Sequence, residues 1–140
     1  MEYTSLRGTG LRISRLSIGT WPFAGTKLWG EQDQREAQRL VCRALDEGIN
    51  TFDTAAGYGA GESERVLGKA LRGRRDRAVV CSKVQKNFLR ARDVTEQCEG
   101  SLRRLGTDYL DLYQIHWASR EIPLSETLEA MERLKAAGKI

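Results

Sequence analysis

Short runs of alternating or β-branched apolar residues recur along the chain, separated by longer stretches in which apolar residues return every three or four positions. A period of two marks a strand, and a period near 3.6 marks a helix with one buried face. Residues 3–6 and 11–14 flank Arg7-Gly8-Thr9-Gly10 and predict a β-hairpin. Leu16–Thr20 predicts a first strand. After a loop with Trp21, Pro22 and Gly25 comes a helix from Asp33 to Glu47, with Ala37, Leu40, Val41, Ala44 and Leu45 on one face and Gly48 ending it. Asn50–Thr54 predicts a second strand, and Ser63 is placed as N-cap of a helix burying Val66, Leu67, Ala70 and Leu71. Ala78–Val84 is the third strand. Asp93 and Glu96 resemble a capping box opening a helix that buries Val94, Cys98, Leu102 and Leu105. Tyr109–His116 is the fourth strand. Pro123 and Ser125 announce a fourth helix, with Leu128, Met131 and Leu134 on one stripe and Gly138 at its end, and Lys139-Ile140 reads as the start of a fifth strand.

Strands alternating with helices of this size imply a parallel sheet with right-handed crossovers. Thr20, Asp53, Lys83 and His116 are 33, 30 and 33 residues apart, about one βαβ unit each. All four fall at the downstream ends of their strands, where α/β proteins bind ligands. Tyr58 lies just past one of these ends, in the glycine-rich segment Gly57-Tyr58-Gly59-Ala60-Gly61, which suits a loop that presents it.

Composition narrows the class. With 140 residues, 40% hydrophobic and 30% charged, and no linker or low-complexity tract, residues 1–140 read as one globular unit. No run of roughly 18 apolar residues could span a bilayer, and the start, MEYTSLRGTG, carries no signal-like apolar stretch. A soluble, cytoplasmic protein is expected, with no membrane partner. Cys42, Cys81 and Cys98 form no CxxC pair and His116 is the one histidine, so neither a disulfide framework nor a metal site is expected. Net charge is +4, and the densest basic stretch, Arg72 to Arg77, is broken by Asp76 and lacks interleaved aromatics. It reads as a solvated loop, with no nucleic-acid partner.

The residues at the strand ends suggest proton chemistry. A phenol is a poor acid at neutral pH. An ammonium beside it stabilises the phenolate, and a carboxylate beside the ammonium holds that cation charged and in place. Tyr58, Lys83 and Asp53 supply these three groups, and His116 offers a second hydrogen-bonding group. Carbonyl reduction needs such groups at oxygen and a hydride at carbon, which no side chain delivers, so a nicotinamide cofactor is implied. Neither a GxGxxG turn nor a GxxxxGK loop follows any strand, which excludes a Rossmann or P-loop grip.

Gly48 to Gly68 (GINTFDTAAGYGAGESERVLG), Cys81-Ser82-Lys83-Val84, Leu102 to Tyr109 (LRRLGTDY) and Gln114-Ile115-His116-Trp117 together closely resemble the aldo-keto reductase superfamily. The resemblance covers essentially the whole chain. It implies a (β/α)8 TIM barrel whose bottom is closed by an N-terminal hairpin, and NADP(H)-dependent interconversion of carbonyls and alcohols. By resemblance, Tyr58 is the general acid/base, Lys83 tunes it, Asp53 pairs with Lys83, and His116 orients the substrate carbonyl. Gly19-Thr20-Trp21 is similar to the family's first-strand segment beside the nicotinamide and the substrate, Asp53 faces the cofactor as well, and Trp117 resembles a wall of the substrate pocket.

A (β/α)8 barrel needs about 250 residues. This chain supplies the hairpin and four βα repeats, so it reads as the N-terminal part of an aldo-keto reductase domain, stopping before the fifth strand. The remaining cofactor-gripping residues of the family have no counterpart here. Four parallel strands leave open edges and an uncovered inner face, which predicts self-association or a partner supplying the C-terminal half. Two other readings stay open: a non-catalytic regulatory or interaction module on the same fold, and an inactive half barrel.

Overall fold

The computed structural model describes all 140 residues. Strands β1 (Tyr3–Ser5) and β2 (Arg12–Ser14) form the expected antiparallel hairpin. Then β3 (Ser17–Gly19), α1 (Gln34–Asp46), β4 (Thr51–Asp53), α2 (Glu62–Ala70), β5 (Val79–Val84), α3 (Ala91–Leu105), β6 (Leu112–Ile115) and α4 (Leu124–Ala136) alternate. The four later strands make one parallel sheet in the order β3-β4-β5-β6, so each βα unit sits beside its predecessor. The hairpin closes the lower end. Asn50 Oδ1 accepts from the Ser14 amide at 2.8 Å, and the Tyr3 hydroxyl donates to Gly48 O at 2.8 Å.

Alternation along the strands separates two faces. Phe52, Val80, Val84 and Tyr113 point toward the helices and join Val41, Leu45, Val66, Leu67, Val94, Cys98 and Leu102 in the core. Asp53 and Lys83 take the opposite, inner face, joined to each other there. The helices pack as a row, α1 on α2, α2 on α3, and α3 on α4. Between α2 and α3 the approach is closest at Gly68, where a Cβ would meet the Leu105 backbone.

Helix ends show where local sequence signals succeed and fail. Asp33 caps α1 as expected, its side chain accepting from the Arg35 amide at 2.8 Å. At the far end the Gly48 amide reaches Leu45 O and the Ile49 amide reaches Ala44 O, a Schellman closure around Gly48 at φ 85°. Ser63 is not the cap of α2. Gly61 holds that position in a left-handed conformation, and the Ser63 hydroxyl turns inward to the strand ends instead. Nor does Asp93 open α3. That helix begins earlier, at Ala91, whose amide is satisfied by Glu126 of α4 at 3.0 Å, while Glu96 pairs with Arg92. A cap donated by a neighbouring helix leaves no trace in local sequence.

Two apolar positions assigned to buried stripes are exposed. Leu40 lies beside the free edge strand β3, and on α4 the buried line runs through Thr127, Ala130 and Leu134 rather than through Leu128. The Thr127 hydroxyl is accommodated by donating to Leu89 O at 2.7 Å. The basic stretch also departs from a solvated loop. Arg75 is largely buried, bonded to Asp111 at 2.6 Å and to Ala78 O at 2.7 Å, with its guanidinium over the Tyr109 ring. Lys139-Ile140 forms no strand, although the Leu110 amide already donates to Lys139 O. No helix is long and apolar enough to cross a membrane.

Candidate active site

The parallel ladder continues past the strand ends and carries the functional positions with it. The Thr20 amide donates to Asp53 O, that of Thr54 to Cys81 O, and that of His116 to Val84 O. Asp53 is therefore set by the last rung of β4, Lys83 by β5, and His116 by the extension of β6. Tyr58 comes from the tight loop between β4 and α2. Its amide donates to Ala55 O, and its carbonyl accepts from the Ser63 amide at 3.3 Å. Close packing of that loop on the turn after β3 requires glycine at 59, where φ is 57° and a Cβ would lie 2.5 Å from that of Ala24.

These elements converge on Lys83. Its Nζ donates to Asp53 Oδ2 at 2.7 Å and to Thr54 O at 2.8 Å, and lies 3.2 Å from the Tyr58 hydroxyl. The Lys83 side chain is 12% exposed while that of Asp53 is 37% exposed, so the pair is shielded from water on the lysine side alone. The ammonium thus faces one carboxylate, one carbonyl dipole and one phenol. Negative charge appearing on the phenol oxygen when its proton leaves is met at once by a fixed cation.

The four sequence-predicted proton-handling residues are brought together. The His116 ring stands edge-on to Tyr58 at 5.8 Å between centroids. Trp21 stacks on the other side of Tyr58 at 5.5 Å, and Trp117 stacks on His116 at 5.9 Å. Trp29, from the first loop, abuts Trp21 edge to face. The resulting row borders a cavity of about 370 Å³ walled by Trp21, Tyr58, His116 and Trp117, with Gln85, Lys86 and Asn87 completing the rim.

Burial, and next the nearby Lys83 ammonium, lower the His116 pKa, against a smaller opposing pull from Asp53. The imidazole is therefore neutral at pH 7 and has one N–H to donate. Because the unfolded chain binds this proton more readily, the residue favours folding above about pH 6.5 and loses that contribution on acidification. His116 is the one histidine, so a proton NMR titration reads it without assignment. Its midpoint is expected below the ordinary value of about 6.5; a midpoint at or above it would show that the ring is neither desolvated nor repelled by Lys83.

The first-strand segment divides. Gly19 is exposed, with open space where a Cβ would stand, and Trp21 is partly exposed at the cavity. Thr20 is fully buried on the helix side, its hydroxyl 2.7 Å from Ser63 Oγ and 3.1 Å from Asp53 O. Trp117 is 67% exposed and reaches the cavity from its rim.

Behind the site lies a polar layer that sequence reasoning missed. Glu64 is fully buried, accepting from the Ser82 hydroxyl at 2.7 Å and from Arg104 Nε at 2.6 Å. Ser63 is equally buried among Thr20 and Thr54. The signal was present: Glu64 precedes Leu67 by three and Leu71 by seven residues, which puts a carboxylate on the buried face of α2. A charge there demands a partner.

The sequence matches the aldo/keto reductase family over residues 15–140. The chain belongs to that family. The aldo-keto reductase YhdN of Bacillus subtilis is 44% identical over all of the chain and 45% of its own length. Among solved structures, the thermostable aldo-keto reductase Tm1743, determined with the inhibitor epalrestat, is 40% identical with a TM-score of 0.91, covering all of this chain and 52% of its own. An aldo-keto reductase of Klebsiella pneumoniae in complex with NADPH is 42% identical with a TM-score of 0.84, over all of this chain and 48% of its own. This aldo/keto reductase chain therefore spans about half the length of the relatives it matches. Its fold is that of the family's TIM barrel in part, a hairpin and four βα units whose sheet stays open.

Proposed function

We propose that residues 1–140 are the N-terminal part of an aldo-keto reductase domain and carry the proton-handling groups of an NADPH-dependent carbonyl reduction. The observation that carries this reading is the single Lys83 ammonium held against Asp53, Thr54 O and the Tyr58 hydroxyl. A structural ion pair needs no phenol at its cation, and none of the three groups lies in the apolar core.

The substrate in this reading is a small aldehyde or ketone in the cavity between Trp21 and Trp117, its oxygen within reach of Tyr58 and His116. Tyr58 gives its proton to that oxygen, Lys83 stabilises the phenolate left behind, and Asp53 keeps Lys83 aimed. Neutral His116 donates a hydrogen bond to the carbonyl and so polarises it. When bound, a reduced nicotinamide supplies the hydride. The residues present fit one end of that cofactor. Gly19 leaves open space on the inner face, and Asp53 has only one carboxylate oxygen engaged, so Oδ1 remains free to accept from the carboxamide. Trp21 borders the neighbouring cavity at Tyr58.

The NADPH complex of the Klebsiella relative supports the choice of cofactor. The test is transfer of label. With NADPH deuterated at the ring carbon that gives up hydride, the protein expressed from its natural reading frame is expected to return an alcohol deuterated at the former carbonyl carbon. An aldehyde panel recovered without deuterium would remove the assignment.

A further inference from the structure

We propose that Ser63 is a positioning residue of this site: its one buried hydroxyl ties the ends of β3 and β4 together, its amide holds the Tyr58 loop beside them, and the two thereby set the approach of Tyr58 to Lys83. Its significance for turnover rests on the function proposed above. The geometry itself stands apart from that reading.

Ser63 is the second residue of α2 and fully buried. Its Oγ lies 2.7 Å from Thr20 O, 2.7 Å from Thr20 Oγ1 and 3.0 Å from Thr54 Oγ1. Counting protons fixes the direction of one of these bonds. A carbonyl only accepts, so the single Ser63 proton goes to Thr20 O. In the two hydroxyl contacts either partner can donate, and Thr20 Oγ1 also donates to Asp53 O at 3.1 Å. The buried hydroxyl is thereby held among three oxygen partners.

Each group bonded to Ser63 is one peptide from the site. Thr20 precedes Trp21, which stacks on the Tyr58 ring. The Thr54 carbonyl accepts from Lys83 Nζ at 2.8 Å, and Thr54 follows Asp53, the other partner of that ammonium. The Ser63 amide meets the carbonyl of Tyr58 itself at 3.3 Å. Both sides of the contact between Tyr58 and Lys83 are thus referenced to one atom pair in α2, though Ser63 does not line the cavity and bonds the backbone of Tyr58 rather than its hydroxyl. A hydroxyl serving only to fill a polar gap would need one partner; this one joins the ends of two strands, and the amide of the same residue holds the loop.

The test reads the geometry without cofactor or turnover. Reductive methylation of the lysines, quantified by peptide mass spectrometry, reports access to Lys83 against the exposed Lys27 and Lys135 of the same molecule. Wild type is expected to label slowly at Lys83. Ser63→Ala leaves Thr20 O with the Phe23 amide as its one remaining donor and frees both threonines, and labelling of Lys83 is expected to rise about ten-fold relative to Lys27. Ser63→Thr, which restores a hydroxyl, is expected to return the ratio toward wild type. Should Ser63→Ala fail to fold, Ser63→Cys keeps the volume with a weaker donor and carries the same expectation. An unchanged ratio in a folded variant, or a uniform rise at all lysines, would overturn the proposal. A normal Ser63 response in a protein that never transfers deuterium would instead sink the proposed reduction and leave the positioning role standing.

Discussion

Lys83→Met is expected to slow carbonyl reduction by about 10²–10⁴-fold, the usual contribution of a positioned acid–base system, equivalent to roughly 3–5 kcal/mol of barrier. Methionine keeps most of the stem but offers nothing to Asp53 Oδ2, Thr54 O or the Tyr58 hydroxyl, the three groups the ammonium now joins. Charge left on the phenol oxygen would then have no fixed cation to meet it. Cofactor affinity is expected to stay within about an order of magnitude, because the effect falls on proton transfer and leaves ground-state binding largely alone. Steady-state kcat together with NADPH affinity measured by fluorescence separates the two. Arginine is a poor substitute, since its planar fork does not reproduce a point charge shared among three acceptors. A variant that retains its rate with methionine at 83 would remove the lysine from the mechanism.

The largest effect on stability is expected at Arg104. Glu64 has no exposure to solvent, and its ion-pair partner is Arg104 at 2.6 Å. Arg104→Ala leaves a carboxylate buried with only the Ser82 hydroxyl, and removing one partner of such a pair costs about 3–5 kcal/mol. For a domain of this length that corresponds to a fall of about 10–15 °C in Tm. The reverse truncation should be milder. The Arg104 side chain is 23% exposed, so after Glu64→Gln the guanidinium keeps its route to water and the new amide oxygen still accepts from Ser82. Thermal melts of the two variants decide the point: equal losses would mean that the burial of Glu64 is not what makes the pair matter.

The strand ends were legible because they depend on period and spacing. Asp53, Lys83 and His116 recur at the interval of one βα unit, and a parallel ladder turns that interval into adjacency. Tyr58 was legible because a glycine-rich run cannot continue a strand or helix. What stayed hidden depends on pairs distant in sequence. Ser63 looks like a helix cap until Thr20, 43 residues earlier, is seen beside it. The amide that opens α3 is capped by Glu126, 35 residues later. Arg75 reads as one more surface arginine until Asp111 closes on it. In each case the residue types were visible and their partner was supplied by the fold.

The same distinction separates the residues of the first-strand segment. Gly19 and Trp21 border open space on the inner face and cavity side, while Thr20, between them, faces the helices by strict alternation and is used by Ser63. Sequence similarity assigns such a tripeptide as a block. The pleat divides it.

The proposed chemistry stands or falls with Tyr58, held by Lys83, as the group whose proton completes carbonyl reduction. Aldehyde-dependent oxidation of NADPH by Tyr58→Phe, in the protein expressed from its natural reading frame, tests that role without an intermediary. Phenylalanine keeps the ring that stacks on Trp21 and faces His116, and removes only the hydroxyl. NADPH binding is expected to match wild type, with reduction lower by about 10²-fold or more. A phenylalanine variant that reduces aldehydes at the wild-type rate would contradict the assignment.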